Sequence, residues 1–236
     1  MIHGPDELYA PYNPAFLVMA HARERVAAAM LHEADAFPRP GSRCLEVGFG
    51  RLGCLPLLIG WGVREPDLYG IERDPERARH AQEALPGADL RVGDAMSMPW
   101  PDGSFDLVVA STVFSSILDP SVRQSVAREI VRVLAPGGAC LWYDFAFNSP
   151  RNPRVRGVTR QHIRELFPEL RVKIRSATLA PPIARLAAPR SWSLTTVFDS
   201  VAFLRTHLVG VLVKPGERRP HGPSGAGTPG AKEARS

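Results

Sequence analysis

Residues 43–53, RCLEVGFGRLG, set a short apolar run directly against a glycine-dense turn, and a second apolar stretch follows at 54–61. The first run is too short for a helix and reads as a buried strand. Glycines at 48, 50 and 53 allow the chain to turn tightly, and the stretch after them reads as a helix. Strand, glycine turn and helix together are the entry unit of a doubly wound parallel sheet, with its ligand crevice at the carboxyl ends of the strands. Gly48, Gly50 and Gly53 spell G-x-G-x-x-G, and Glu72 lies 24 residues beyond Gly48. The same spacing also occurs in dinucleotide-binding folds, so the glycines alone leave the ligand open.

The rest of the chain alternates as that sheet requires. An Ala-rich amphipathic helix is predicted over 14–36, and strands over 43–47, 67–72, 90–94, 105–111 and 137–145. Helices are predicted over 54–61, 76–85 and 121–134. Near-continuous apolar strands between helices predict a parallel sheet covered on both faces. After Phe147 comes a Pro- and Arg-rich loop, a short helix 159–166 with Thr159 as N-cap, and a strand 170–179. A helix pair broken at Pro189 and a last strand 206–214 follow. The expected fold is α/β: a doubly wound, seven-stranded, mostly parallel sheet with an N-terminal helix and a helical insertion before the last strand. Residues 1–36 form a helical cap and 37–214 the main domain, with 181–204 as the insertion. The tail 215–236, with nine Gly or Pro, is expected to be disordered.

Composition narrows the class. The chain has 236 residues, 44% of them hydrophobic, and lacks both an apolar run long enough to span a bilayer and a signal-like N-terminus. A cytoplasmic protein is expected. Three cysteines, Cys44, Cys54 and Cys140, form no C-x-x-C pair, so core packing is expected and no metal site. The net charge of +5 is concentrated: residues 151–175 hold eight Arg or Lys against two Glu. That basic strip suggests one anion-facing surface rather than general affinity for nucleic acid.

Glu46 separates the possible ligands. It ends the first strand two residues before Gly48, where a carboxylate repels a pyrophosphate and favours an ammonium group. S-adenosylmethionine carries such a group. Glu72, at the tip of the second strand, can accept from ribose hydroxyls, and Asp94, after the third strand, from the exocyclic amine of adenine. One carboxylate at each of three successive strand ends is a far more specific signal than a glycine turn.

On these residues the sequence resembles the class I S-adenosylmethionine-dependent methyltransferases. The matching stretches are LEVGFGRLG (45–53), GIERDP (70–75), GDAMSMPWPDGSFDLVVAS (93–111) and VRVLAPGG (131–138), and the third resembles the small-molecule branch. The resemblance implies that Glu46, Gly48, Gly50 and Gly53 hold the methionine part of the cofactor. Glu72 then lies at the ribose, Asp94 and Ala95 at the adenine, and Ser111 and Thr112 near the sulfonium, with Arg73 a further cofactor contact. The glycine turn is one residue longer than the commoner G-x-G-x-G, which leaves Arg51 doubtful as a contact. After the fourth strand STVFSSI replaces the paired histidines of many relatives, so no base is inherited there.

On the acceptor side, Tyr143, Asp144 and His162 are the candidate catalytic groups. Tyr12, Phe114, Arg154 and Arg156 are candidate substrate contacts, with Arg151 and Arg160 completing a clamp for a phosphate or carboxylate. Tyr9, Tyr12 and Asn13 are expected to close over the cofactor or to pack on the domain. His207 and Asp106 read as structural. The expected activity is methyl transfer to a small-molecule hydroxyl, on a natural-product or cell-surface sugar intermediate. N- or C-methylation, a nucleic-acid methyltransferase, an NAD-dependent oxidoreductase and a non-catalytic cofactor-binding module are the alternatives. No nucleic-acid partner is expected, and monomer or homodimer is left open.

Overall fold

The computed structural model describes residues 10, 12–148, 152 and 154–218. The expectations for Tyr9, Arg151 and the end of the tail lie outside them. Helix α1 (Pro14–Glu33) starts where the Asn13 side chain accepts the backbone N–H of Ala15 and of Phe16. That makes Asn13 a cap rather than a ligand contact. β1 (Cys44–Val47), α2 (Leu55–Gly60), β2 (Leu68–Glu72), α3 (Pro75–Ala84), β3 (Asp89–Val92), β4 (Phe105–Ser111) and α4 (Pro120–Val133) follow. β5 (Leu134–Phe145), α5 (Arg160–Leu166), β6 (Arg171–Leu179), α6 (Pro181–Ala187), α7 (Trp192–Ser200) and β7 (Arg205–Val213) complete the α-helices and strands among the described residues.

The seven strands form one sheet in the order β3-β2-β1-β4-β5-β7-β6. The first five run parallel, and β7 is antiparallel to both β5 and β6. The order reverses beside β1, and that switch point is where a doubly wound sheet opens a crevice. The expected sheet, N-terminal helix and helical insertion are all present. β5 starts earlier than expected, at Leu134, because Pro136, Gly137 and Gly138 continue the strand instead of forming a turn after the helix.

Side-chain alternation sorts the residues of each strand between two layers. Cys44 faces the layer containing Met30, Leu31, Leu55 and Leu58, while Leu45 and Val47 face the layer of Val126, Ile130 and Phe167. Along β5, Leu141 and Tyr143 belong to the first layer and Cys140 and Trp142 to the second. Trp142 packs between Phe114, at 4.3 Å, and Phe167, at 5.9 Å. The three cysteines are buried free thiols, as core packing requires.

Candidate functional site

Parity on β1 sends Glu46 to the same face as Cys44, beneath the glycine turn and towards α1. There the carboxylate is buried, and both of its oxygens lie 2.8 Å from the backbone N–H of Cys54, which donates to them. Desolvation pushes this carboxyl up to about 7 from an ordinary 4.5, against the opposing pull of that N–H and of the Arg23 charge. Gly53 sits above it at φ +52°, and a Cβ at that position would overlap the Glu46 carboxylate. The third glycine therefore exists to let the turn close over an acid.

Glu72 ends β2 and ties the turn to the neighbouring strand. Its carboxylate accepts the N–H of Gly50 at 2.8 Å and of Asp74 at 3.1 Å. Gly48 N–H donates to Ile71 O at 2.8 Å, and its φ of +66° is accessible to few side chains. Asp94 lies two residues past β3, accepts the Met96 N–H at 2.9 Å, and has its other oxygen 3.9 Å from Arg73 Nε.

These groups line a cavity of about 560 Å³ at the carboxyl ends of β1, β2 and β4. All ten residues expected at the cofactor are in its wall: Glu46, Gly48, Gly50, Gly53, Glu72, Arg73, Asp94, Ala95, Ser111 and Thr112. Arg51 is exposed and outside it. Phe16 and Arg23 of α1, which no motif marks, also line the cavity, together with Ile71 and Ile117. Arg23 Nε is buried with no hydrogen-bond partner among the described residues. The buried acid in this wall suits the ammonium of an amino-acid head, and the two further carboxylates suit a diol and an amine. The donor set thus fits S-adenosylmethionine.

A second cavity of about 390 Å³ adjoins the first and shares Phe16, Arg23, Ser111 and Thr112 with it. Thr112 stands between the two at φ +56°, an unfavourable conformation for a β-branched residue, held by its N–H donating to Tyr143 O at 2.7 Å. Tyr143 and Phe145 of β5, Pro181 and Arg185 of α6, and His207 of β7 form the far walls. The insertion is therefore a pocket wall. His207, expected to be structural, stacks on Tyr143 with centroids 4.9 Å apart and planes 1° from parallel. Burial, with the Arg23 charge, pushes its imidazole down to about 4, so it is neutral.

Several acceptor-side expectations are corrected. Asp144 is on the opposite face from Tyr143; it accepts the N–H of Ser115 at 2.9 Å and of Phe145 at 2.8 Å and lines neither cavity. Desolvation raises its pKa, and its contacts are structural. His162 lies on α5 and closes a capping box with Thr159. Phe114 is fully buried against Trp142. Tyr12 is 76% exposed and outside both walls. Arg154 and Arg156 are exposed on the loop before α5, also outside both, and Arg160 donates to Ile174 O and Ser176 Oγ. Tyr143 does reach the second cavity, but its hydroxyl donates to Thr178 Oγ1 at 3.0 Å and burial pushes it up to about 12. It remains a phenol. Asp106, as expected, is structural and accepts the Arg43 N–H at 2.8 Å.

A family model described as "Methyltransferase domain" matches residues 45–142. An uncharacterised 37.1 kDa transposon protein of Streptomyces fradiae is 27% identical over 80% of this chain and 54% of its own. Norajmaline N-methyltransferase of Rauvolfia serpentina is 28% identical over 57% of this chain and 49% of its own. The chain spans about half the length of these curated relatives. Among solved structures, a SAM-dependent methyltransferase from Methanosarcina mazei superposes with a TM-score of 0.59 at 17% identity, covering 80% of this chain and 98% of that one. Its likeness is one of fold. No helix among the described residues is long and apolar enough to cross a membrane.

Proposed function

We propose that the chain, whose residues 45–142 match a methyltransferase-domain model, is a class I S-adenosylmethionine-dependent methyltransferase and carries a methyl group to a hydroxyl of a small-molecule acceptor bearing an anionic group. The observation behind this reading is the buried Glu46 carboxylate in the wall of the first cavity, one strand away from Glu72.

When bound, the cofactor supplies an electrophilic methyl group on a sulfonium; the protein's task is to align a nucleophile with it and exclude water. Glu46 holds the ammonium of the amino-acid head, with Gly48 and Gly50 allowing the backbone to approach. Glu72 accepts from the ribose diol while its own backbone bonds keep the carboxylate fixed. Asp94 accepts from the adenine amine, and Ile71 and Ile117 supply the apolar wall. Ser111 and Thr112, shared by the two cavities, stand at the point of transfer.

Calorimetric titration with S-adenosylhomocysteine and with NADH tests this. Binding of the former, lost at least tenfold in Glu72→Ala with the fold retained, is the expected result. Tight NADH binding with no S-adenosylhomocysteine binding overturns it.

A further inference from the structure

We infer that the second cavity is the acceptor site for a small aromatic compound with an acidic hydroxyl, a phenol or an enol, which Arg23 and Arg185 bind as its oxyanion. The inference rests on the methyl-transfer reading of the first cavity and goes on to name the acceptor class.

Two properties of the cavity carry it. Its walls are flat and aromatic: the Tyr143 and His207 rings are parallel, Phe145 lies 4.1 Å from His207, and Phe16 faces them from α1. Such walls match a planar ring. Its charge is all of one sign, since Arg23 and Arg185 are in the lining and no Asp, Glu, Asn or Gln is among the described residues there. A protonated amine finds no carboxylate to hold it. A sugar finds few of the acceptors that its neutral hydroxyls require. An oxyanion finds two guanidiniums, each with donors that cannot deprotonate.

The same arrangement explains why neither cavity presents a strong base to the acceptor. Asp144 faces away, and His207 is neutral and a weak base. A cation within roughly 4–6 Å lowers the pKa of an acidic hydroxyl by about 1–3, so the ionised share rises by about 10- to 1,000-fold. The hydroxyl proton leaves to solvent through the mouth, where Arg185 is exposed. In the transfer, an oxygen lone pair forms the O–CH3 bond as the S–CH3 bond breaks and its electron pair moves to sulfur. The sulfonium charge and the oxyanion charge are discharged together, leaving methyl ether and thioether.

The probe is 4-nitrophenol, whose ionised form absorbs in the visible. It is added to the S-adenosylhomocysteine-loaded protein at a pH below the probe's own ionisation midpoint. The expected result is a saturable rise of the phenolate band, reduced several-fold in Arg185→Gln although that variant binds S-adenosylhomocysteine as the parent does. Binding of S-adenosylhomocysteine with no rise, or with a rise unchanged in Arg185→Gln, overturns the acceptor assignment and leaves methyl transfer standing. Displacement of the probe by methyl α-glucoside overturns it in favour of a sugar. Failure to bind S-adenosylhomocysteine removes the methyl-transfer reading and this one with it.

Discussion

Glu46→Gln should move stability and cofactor affinity in opposite directions. Burial raises the Glu46 carboxyl from 4.5 to about 7, and at ~1.36 kcal/mol per pH unit the folded state loses about 3 kcal/mol by carrying that charge above neutrality. Because the folded pKa is the higher one, the folded state holds more protons than the unfolded one between those values. Stability therefore falls as pH rises through that window and the full penalty is present above it. Glutamine keeps an oxygen for the Cys54 N–H and carries no charge. The variant should match the parent near pH 4.5, exceed it progressively as pH rises, and level off above about 7, at most about 3 kcal/mol more stable.

The cofactor responds the other way. A carboxylate–ammonium pair ~4 Å apart at an effective dielectric near 20 is worth about 4 kcal/mol before desolvation, and net values for charged hydrogen bonds are about 1.5–3 kcal/mol. S-adenosylhomocysteine should bind the variant about 10- to 100-fold more weakly. In the parent, affinity should rise with pH up to about 7, as Glu46 ionises, and the variant should lose that dependence. Urea melts and calorimetry across the same pH series measure both quantities. Unchanged affinity, or loss of both stability and affinity, refutes the reasoning, since the second outcome would make Glu46 a brace for the glycine turn alone.

Other positions separate the roles of the two faces. Gly53→Ala should abolish S-adenosylhomocysteine binding, because its Cβ would overlap Glu46 at a φ already unfavourable to alanine; calorimetry on folded protein checks it. Phe114→Ala should cost about 3–5 kcal/mol in denaturant melts, the usual cost of emptying a fully buried aromatic site, with the affinity of the remaining folded protein unchanged. Arg154→Ala and Arg156→Ala should leave the acceptor KM where it is, since neither side chain lines a cavity; a rise in KM would restore the loop as an anion clamp.

The lining of the first cavity was legible in the sequence because it is local. A glycine turn and the acids at successive strand ends occupy positions set by the strand–turn–helix unit, whatever the rest of the chain does. The acceptor side is set by register. Tyr143 and Asp144 are adjacent in sequence and equally plausible as end-of-strand groups, yet alternation sends one into the cavity and the other to Ser115. Deciding between them requires knowing that Ser111 pairs with Tyr143, and that β7 returns antiparallel with His207 opposite Phe145. Those pairings place Glu46, Ser111, Tyr143 and His207 on one face, although they come from four different strands. Arg23 and Arg185 were hidden for a different reason: Arg23 shares α1 with Arg25, Arg185 stands alone on a short helix, and only the packing of each helix puts them at the second cavity.

His207 supplies an independent check on that shared face, since its titration runs opposite to that of Glu46. Its folded pKa, about 4, lies below the ordinary 6.5, so the unfolded state binds more protons in between. Stability from this residue is full above about 6.5 and is lost as pH falls towards 4, by about 3 kcal/mol in all. Between about 4.5 and 6.5 the two residues nearly cancel, and the parent should show little net slope from this pair. Removing either should expose the other: Glu46→Gln should become less stable on acidification, whereas His207→Phe, which keeps a ring against Tyr143, should become more stable. Packing changes offset each curve without tilting it, so the slopes carry the answer. Parallel curves for parent and His207→Phe would mean that the imidazole is hydrated and able to take a proton. The second cavity could then supply a base, and an acceptor bound as its oxyanion would no longer be required.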